Sequence, residues 1–313
     1  MTSQALERAR AWMRENQLPS DASIDEMRAW MGPSPAIPET TIAPVMVTGP
    51  GASGGGPDET PAEWVLAPGA DAARRILYLH GGGYCMGSPA THRNLTSRLS
   101  AATGMAVLSL EYRLAPEHPC PAAVRDSVPA FAWMTRNGPA GPGDAAAAFI
   151  AGDSAGGGLA LGTLVKNRDL DDRQADAAVL LSAWTDLTLS GESWETRAEE
   201  DLLVNRPATE RLVDWILPGP LRPNFPLVSP VFADLQDLPP LYLIAGDHEV
   251  LRDDTTRIAA LGRMMGLAVR EEIYPEMPHV FPAFPSLPES IEVMGKIGEF
   301  LRAQVPARWP ERG

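Results

Sequence analysis

The chain has 313 residues and a formal net charge of −14, with 26 Lys and Arg against 40 Asp and Glu. Its hydrophobic content of 44% and charged content of 21% are ordinary for a globular protein with a sizeable core. A surface this negative repels nucleic acids and anionic membranes, so we expect neither as a partner.

Features of export, membrane insertion or metal binding are not evident. The first 30 residues alternate charged and apolar types, unlike a signal peptide. No apolar run approaches the roughly 20 residues of a transmembrane helix. Cys85 and Cys120 match no disulfide framework, and no His, Cys, Asp and Glu cluster has metal-ligand spacing. We therefore expect a cytoplasmic protein without a metal or cofactor.

The chain opens with two helical patterns. Leu6, Ala9 and Met13 lie on one helical face, and a second short helix is predicted over residues 23–31. Residues 49–57 are so rich in glycine that we expect a loop.

From about residue 60, short apolar runs alternate with helical patterns. Most runs are almost entirely apolar, which is typical of strands buried on both faces of a mostly parallel sheet. The alternation predicts a three-layer α/β domain. It stops between about residues 184 and 230, which indicates an insertion outside the sheet. The predicted strands are 64–66, 76–80, 106–110, 149–151, 179–182, 241–245 and 270–274, and the predicted helices are 94–103, 122–137, 157–168, 253–265 and 286–304.

A candidate nucleophile lies between one predicted strand and the helix that follows it. Gly152-x-Ser154-x-Gly156 matches the sharp turn that exposes a nucleophilic serine at the sheet edge. Ser53 stands in the same pattern, but no strand or helix flanks it, so we reject it. A phosphate-binding loop is a second interpretation, but it lacks the Lys-Ser/Thr or the spaced glycines that such loops carry.

A second glycine motif, His80-Gly-Gly-Gly83, follows another predicted strand. Ester cleavage places negative charge on the carbonyl oxygen, and preorganised backbone N–H groups stabilise it. Glycine lets the backbone approach the substrate closely, and Ala155, directly after the candidate nucleophile, would supply another N–H. We expect His80 to support this loop.

The two glycine motifs, together with Tyr112-Arg-Leu-Ala-Pro-Glu-His-Pro119, resemble the hormone-sensitive-lipase family of microbial esterases over about residues 76–300. The resemblance implies an α/β-hydrolase fold: a mostly parallel central sheet flanked by helices, beneath a helical cap. It also implies that the N–H groups of Gly82 and Gly83 face the oxyanion. We assign residues 1–45 to the N-terminal cap helices, 46–185 and 226–313 to the core, and 186–225 to the cap insertion.

The same resemblance indicates structural hydrogen-bonding roles for Asp126 and Asp153. Trp184, Trp194 and Trp215 are expected to pack the cap against the sheet domain, with the lining of an acyl pocket as the alternative.

The base and the acid follow from chain order, which in this fold is Ser, acid, His. His248 and His279 follow Ser154, and His279 lies just past the last predicted strand, where a loop can bring it to the serine. The family usually has aspartate at the position of the acid, and here the alignment places Glu249. Asp247, two residues earlier, is the rival candidate.

These residues predict a serine carboxylesterase that forms an acyl-enzyme, and the family resemblance implies short- to medium-chain esters or lactones as its substrates. The alternatives are a non-catalytic ligand receptor on the same fold and an amidase or acyltransferase with the same residues. The resemblance is compatible with a homodimer.

Overall fold

A central eight-stranded sheet organises the chain in the computed structural model, which describes residues 3–48 and 59–305. The strands are β1 Thr41–Thr48, β2 Glu59–Leu66, β3 Asp71–Leu79, β4 Met105–Leu110, β5 Ala147–Asp153, β6 Ala178–Leu181, β7 Leu241–His248 and β8 Val269–Pro278. Their order in the sheet is β1-β2-β4-β3-β5-β6-β7-β8. β2 pairs antiparallel with β1 and β4, and all other neighbours are parallel. The predicted mostly parallel sheet is therefore confirmed.

Helices cover both faces of the sheet, as the apolar strands require. On β3, Ile76 and Tyr78 pack into one apolar cluster, while Leu77 and Leu79 pack into the other. Successive side chains of a strand point to opposite faces, so both faces of this strand are buried. The helices are α1 Gln4–Glu15, α2 Ile24–Trp30, α3 Pro89–Thr103, α4 Ala122–Met134, α5 Ala155–Asp169, α6 Ser193–Thr196, α7 Arg206–Ile216, α8 Arg252–Met264 and α9 Pro288–Ala303.

The N-terminal helices contact both the insertion and the sheet edge. Arg211 on α7 donates hydrogen bonds to the backbone carbonyls of Ser20 and Ala22. Arg10 on α1 donates to His248 Nδ1 at 2.8 Å and to the carbonyl of Glu276 at 2.9 Å. The Arg211 bonds join the N-terminal segment to the insertion, and the Arg10 bonds join α1 to the carboxyl ends of β7 and β8.

Two sequence assignments differ from the structure at the start of the sheet. β1 was not among the predicted strands, and it begins at Thr41, inside the range 1–45 assigned to the cap. Pro44 interrupts the strand pattern, and a proline is tolerated here because β1 is an edge strand with one neighbour. The rejected Ser53 motif lies outside the described residues. Within the described ranges, no helix has the length and apolar character needed to cross a bilayer.

Phe149, in the middle of β5, tests the importance of this two-faced core. Its side chain is fully buried, so we expect Phe149→Ala to lower the free energy of unfolding by about 3–5 kcal/mol. Phe232 is 43% exposed, and Phe232→Ala should change the free energy of unfolding by no more than about 0.5 kcal/mol. Urea denaturation measures both, and equal losses would contradict the burial argument.

Candidate active site

Three predicted site residues meet at the carboxyl edge of the sheet. Ser154 follows β5, Glu249 follows β7 and His279 follows β8. His279 Nε2 lies 3.0 Å from Ser154 Oγ, and His279 Nδ1 lies 2.6 Å from Glu249 Oε2. The imidazole thus connects a hydroxyl to a carboxylate, and this arrangement allows proton transfer from the serine.

Ser154 has a backbone conformation that few residues other than glycine adopt. Its φ is +51°, and its N–H donates to the carbonyl of Leu181 at 2.8 Å. The turn also needs Gly156, because a Cβ atom there would lie 2.0 Å from the carbonyl oxygen of Leu79. The sharp turn leaves Ser154 partly exposed at the start of α5.

Glu249 and Asp247 have clearly different surroundings. Glu249 is fully buried, and its Oε1 accepts a hydrogen bond from the N–H of Gly246. Asp247 Oδ1 lies 3.2 Å from Arg197 Nη2 and 3.1 Å from Arg252 Nη1, and its side chain is 35% exposed. The structure therefore brings Glu249, and not Asp247, to His279.

The pKa of His279 reflects opposing influences. Burial lowers it, because a buried imidazolium loses its hydration. The hydrogen bond and charge of Glu249, with the charges of Asp201 and Asp153, act in the other direction and prevail. The net result is a pKa above the ordinary 6.5. A stronger base is a better proton acceptor once it is unprotonated.

The predicted oxyanion donors lie beside Ser154. Gly82 and Gly83 follow β3 and line the same cavity as Ser154, and neither N–H donates to a backbone carbonyl within the described residues. Gly82 has φ +118°, and a Cβ atom there would lie 2.2 Å from the carbonyl oxygen of Met86. Ala155 begins α5, where helix geometry leaves the N–H unsatisfied and the helix dipole favours negative charge.

A buried carboxylate supports the glycine loop from below. Asp153 Oδ1 accepts from the hydroxyl of Tyr78 at 2.6 Å and from the N–H of Gly81 at 3.0 Å. Its Oδ2 lies 3.5 Å from Nε2 of His92, a residue that the sequence analysis did not single out. Burial lowers the pKa of His92, but the charge and hydrogen bond of Asp153 outweigh it and raise the pKa overall. The contact between His92 and Asp153 adds to this support.

Two other residues occupy the structural positions that the sequence indicated. His80 stacks on Tyr112 with ring centroids 4.3 Å apart, and its Nδ1 contacts the carbonyl of Gly81 at 2.8 Å. Burial lowers the pKa of His80 to about 3, so the ring is neutral. Asp126 is fully buried and accepts hydrogen bonds from the side chain and backbone of Arg113.

A cavity of about 380 Å³ opens above Ser154 and His279. Its lining contains no Lys or Arg among the described residues. Trp184 lines this cavity, whereas Trp194 and Trp215 do not. The guanidinium of Arg206 lies over the ring of Trp194, and that of Arg211 lies over the ring of Trp215. The apolar and aromatic lining comes mostly from the N-terminal helices and the insertion: Trp12, Leu18, Met27, Trp30, Met31, Leu202, Leu203, Val204, Leu212 and, from beyond β8, Phe284.

No group of three or more His, Cys, Asp or Glu residues within 3–48 and 59–305 is placed to bind a metal ion.

Comparison with known proteins assigns the family. Residues 76–283 match a family model described as alpha/beta hydrolase fold. An acetyl-hydrolase from Streptomyces hygroscopicus is 42% identical over 242 residues, which cover 77% of this chain and 79% of that protein.

Two solved structures extend the likeness over nearly the whole chain. An esterase/lipase from an uncultured bacterium is 38% identical with a TM-score of 0.86, covering 97% of this chain and 99% of its own. An esterase of the bacterial hormone-sensitive lipase family is 37% identical with a TM-score of 0.87, covering 98% and 100%. The chain therefore belongs to the α/β-hydrolase fold family and is a carboxylic ester hydrolase of the hormone-sensitive-lipase type.

Proposed function

We propose that this carboxylesterase acts through an acyl-enzyme, with Ser154 as nucleophile, His279 as general base and Glu249 as the acid that orients the base. The observation that supports this most strongly is the continuous contact from Ser154 Oγ to His279 and from His279 to Glu249, at 3.0 and 2.6 Å. A serine hydroxyl is a poor nucleophile at neutral pH, and an adjacent base activates it.

The first half of the reaction forms the acyl-enzyme. Ser154 Oγ attacks the ester carbonyl carbon while His279 Nε2 takes the hydroxyl proton. The carbonyl oxygen becomes negative, and the N–H groups of Gly82, Gly83 and Ala155 stabilise it. When the tetrahedral intermediate collapses, the bond to the alcohol oxygen breaks and His279 gives its proton to the leaving alcohol.

The second half releases the acid. His279 removes a proton from water, and the resulting nucleophile attacks the acyl carbon. The bond to Ser154 Oγ then breaks, and His279 returns the proton to the serine. In both halves Glu249 stays ionised, keeps Nδ1 of His279 protonated and stabilises the imidazolium.

The size and lining of the cavity favour esters with short to medium acyl chains, and lactones of similar size, as substrates. Its volume of about 380 Å³ lies near the lower end for small-molecule sites, and its lining is largely apolar. Because no Lys or Arg is present among the described lining residues, a carboxylate on the substrate would lose its hydration without gaining an ion pair. We therefore propose neutral, uncharged esters.

A panel of p-nitrophenyl esters tests the nucleophile and the substrate range together. We expect acetate, butyrate and octanoate esters to be cleaved with higher kcat/KM than palmitate, because the cavity cannot contain the longest chain. Ser154→Ala should lower kcat by at least about 10³-fold on every ester.

The control is His118→Ala, which should match the wild type, since His118 is an exposed histidine that does not line the cavity. A palmitate preference would refute the size argument, and an active Ser154→Ala would refute the nucleophile. Faster cleavage of a matched p-nitroanilide would assign the site to an amidase instead.

The pH dependence tests the base and the acid. Only neutral His279 accepts a proton, so kcat/KM should rise with pH around a midpoint above 6.5, because the net pKa of His279 is raised. Glu249→Gln removes the charge that raises this pKa, so the midpoint should move to lower pH. Its kcat should also fall, by about 10⁴-fold if the amide acts as it does in other triads.

Asp247→Asn is the matched control for Glu249→Gln. Its carboxylate contacts Arg197 and Arg252, so the midpoint should stay where it is in the wild type. A midpoint that moves in Asp247→Asn and not in Glu249→Gln would reverse the assignment of the acid.

A further inference from the structure

The end of β6 lies between the strands that carry the nucleophile and the acid. β6 pairs with β5 on one side and β7 on the other. Its last residue, Leu181, accepts the N–H of Ser154 at 2.8 Å. The next residue is Ser182, which is 1% exposed and does not line the cavity. Ser182 therefore reaches the active-site residues from behind, on the side away from substrate.

The Ser182 hydroxyl both donates and accepts a hydrogen bond. Its oxygen lies 2.9 Å from Glu249 Oε1 and 3.0 Å from the backbone nitrogen of Val280. The N–H of Val280 can only donate, so the hydroxyl oxygen accepts from it. The single hydroxyl proton is then directed to Glu249.

These two bonds connect the acid to the loop of the base. Val280 directly follows His279, so the Ser182 hydroxyl fixes the backbone beside the base and one oxygen of the acid. With Gly246 also donating to Oε1, the other oxygen of Glu249 is directed to His279 Nδ1. Rotation of the carboxylate would break two hydrogen bonds in a buried site, and buried unsatisfied groups are costly.

Backbone strain is concentrated at the two ends of the Ser182–Val280 bond. Ser182 has φ +47° and Val280 has φ +48°, values uncommon for any residue but glycine and least favourable for a β-branched one. Such conformations persist where the surroundings enforce them, commonly at functional sites. The N–H of Ser182 adds a further bond to the carbonyl of Ile244 at 2.6 Å.

We propose that Ser182 is a positioning residue of this esterase. Its hydroxyl orients Glu249 and fixes the loop of His279, and it acts on the reaction only through these residues. The proposal rests on the proposed function, since it assumes the roles of Glu249 and His279.

Steady-state kinetics of Ser182→Ala on p-nitrophenyl butyrate tests this role. We expect kcat to fall about 10- to 100-fold, the effect of slightly misplaced reacting groups, with KM within about twofold of the wild type. Ser182→Gly should give the same loss in kcat. Glycine adopts φ +47° without strain, so this variant removes the hydroxyl and preserves the backbone if alanine disturbs folding.

The matched control is Ser109→Ala. Ser109 is also fully buried, but its hydroxyl has no hydrogen-bond partner in the part of the chain that the structure describes, so its removal should leave kcat unchanged.

The double variant Ser182→Ala/Glu249→Gln separates positioning from a general structural effect. Because Ser182 acts in part through Glu249, Ser182→Ala should lower kcat by a clearly smaller factor in the Glu249→Gln background than in the wild type, with the remaining loss due to the Val280 bond. The same fold loss in both backgrounds, or wild-type kcat in Ser182→Ala and Ser182→Gly, would overturn the proposal. Ser154→Ala is measured alongside. An active Ser154→Ala would refute the proposed function, whereas an inactive Ser154→Ala together with wild-type kcat in the Ser182 variants would refute this inference alone.

Discussion

The short contact between His279 and the buried carboxylate of Glu249 is the interaction on which the active site depends. A buried carboxylate is costly unless donors surround it, and here the donors come from three separate segments. Gly246 lies near the end of β7, Ser182 directly follows β6 and His279 directly follows β8. The hydrogen bonds to the Glu249 carboxylate therefore hold the ends of β6, β7 and β8 together, and this arrangement places the His279 imidazole against Ser154.

A second buried carboxylate plays a comparable part on the other side of the serine. Asp153 precedes Ser154 and accepts from Gly81 in the glycine loop, with His92 beside it. Glu249 thus stabilises the loop of the proposed base, and Asp153 stabilises the loop of the proposed oxyanion donors. Both are buried, hydrogen-bonded supports at the carboxyl edge of the sheet, whereas the cavity above them is built mainly by the N-terminal helices and the insertion.

The sequence predicted the parts of this site that depend on local geometry. A serine between two glycines at a strand–helix junction indicates the turn at Ser154, because larger neighbours do not fit it. The choice between Asp247 and Glu249 could not be made in the same way, because both lie at the end of one strand and only the packing of Arg197 and Arg252 separates them. β1 was missed because Pro44 is acceptable only at a sheet edge. Ser182 and His92 carry no local signal, since their partners are distant in the chain.

Covalent labelling tests most directly whether Ser154 Oγ forms the bond to the substrate's acyl group. A p-nitrophenyl alkylphosphonate transfers its phosphonyl group to an activated serine and releases p-nitrophenol. Peptide mass spectrometry of the inactivated protein should find one label per chain, on Ser154, and almost none in His279→Ala treated alike. A label on a different residue that accompanies loss of esterase activity, or full inactivation with Ser154 unmodified, would contradict the account.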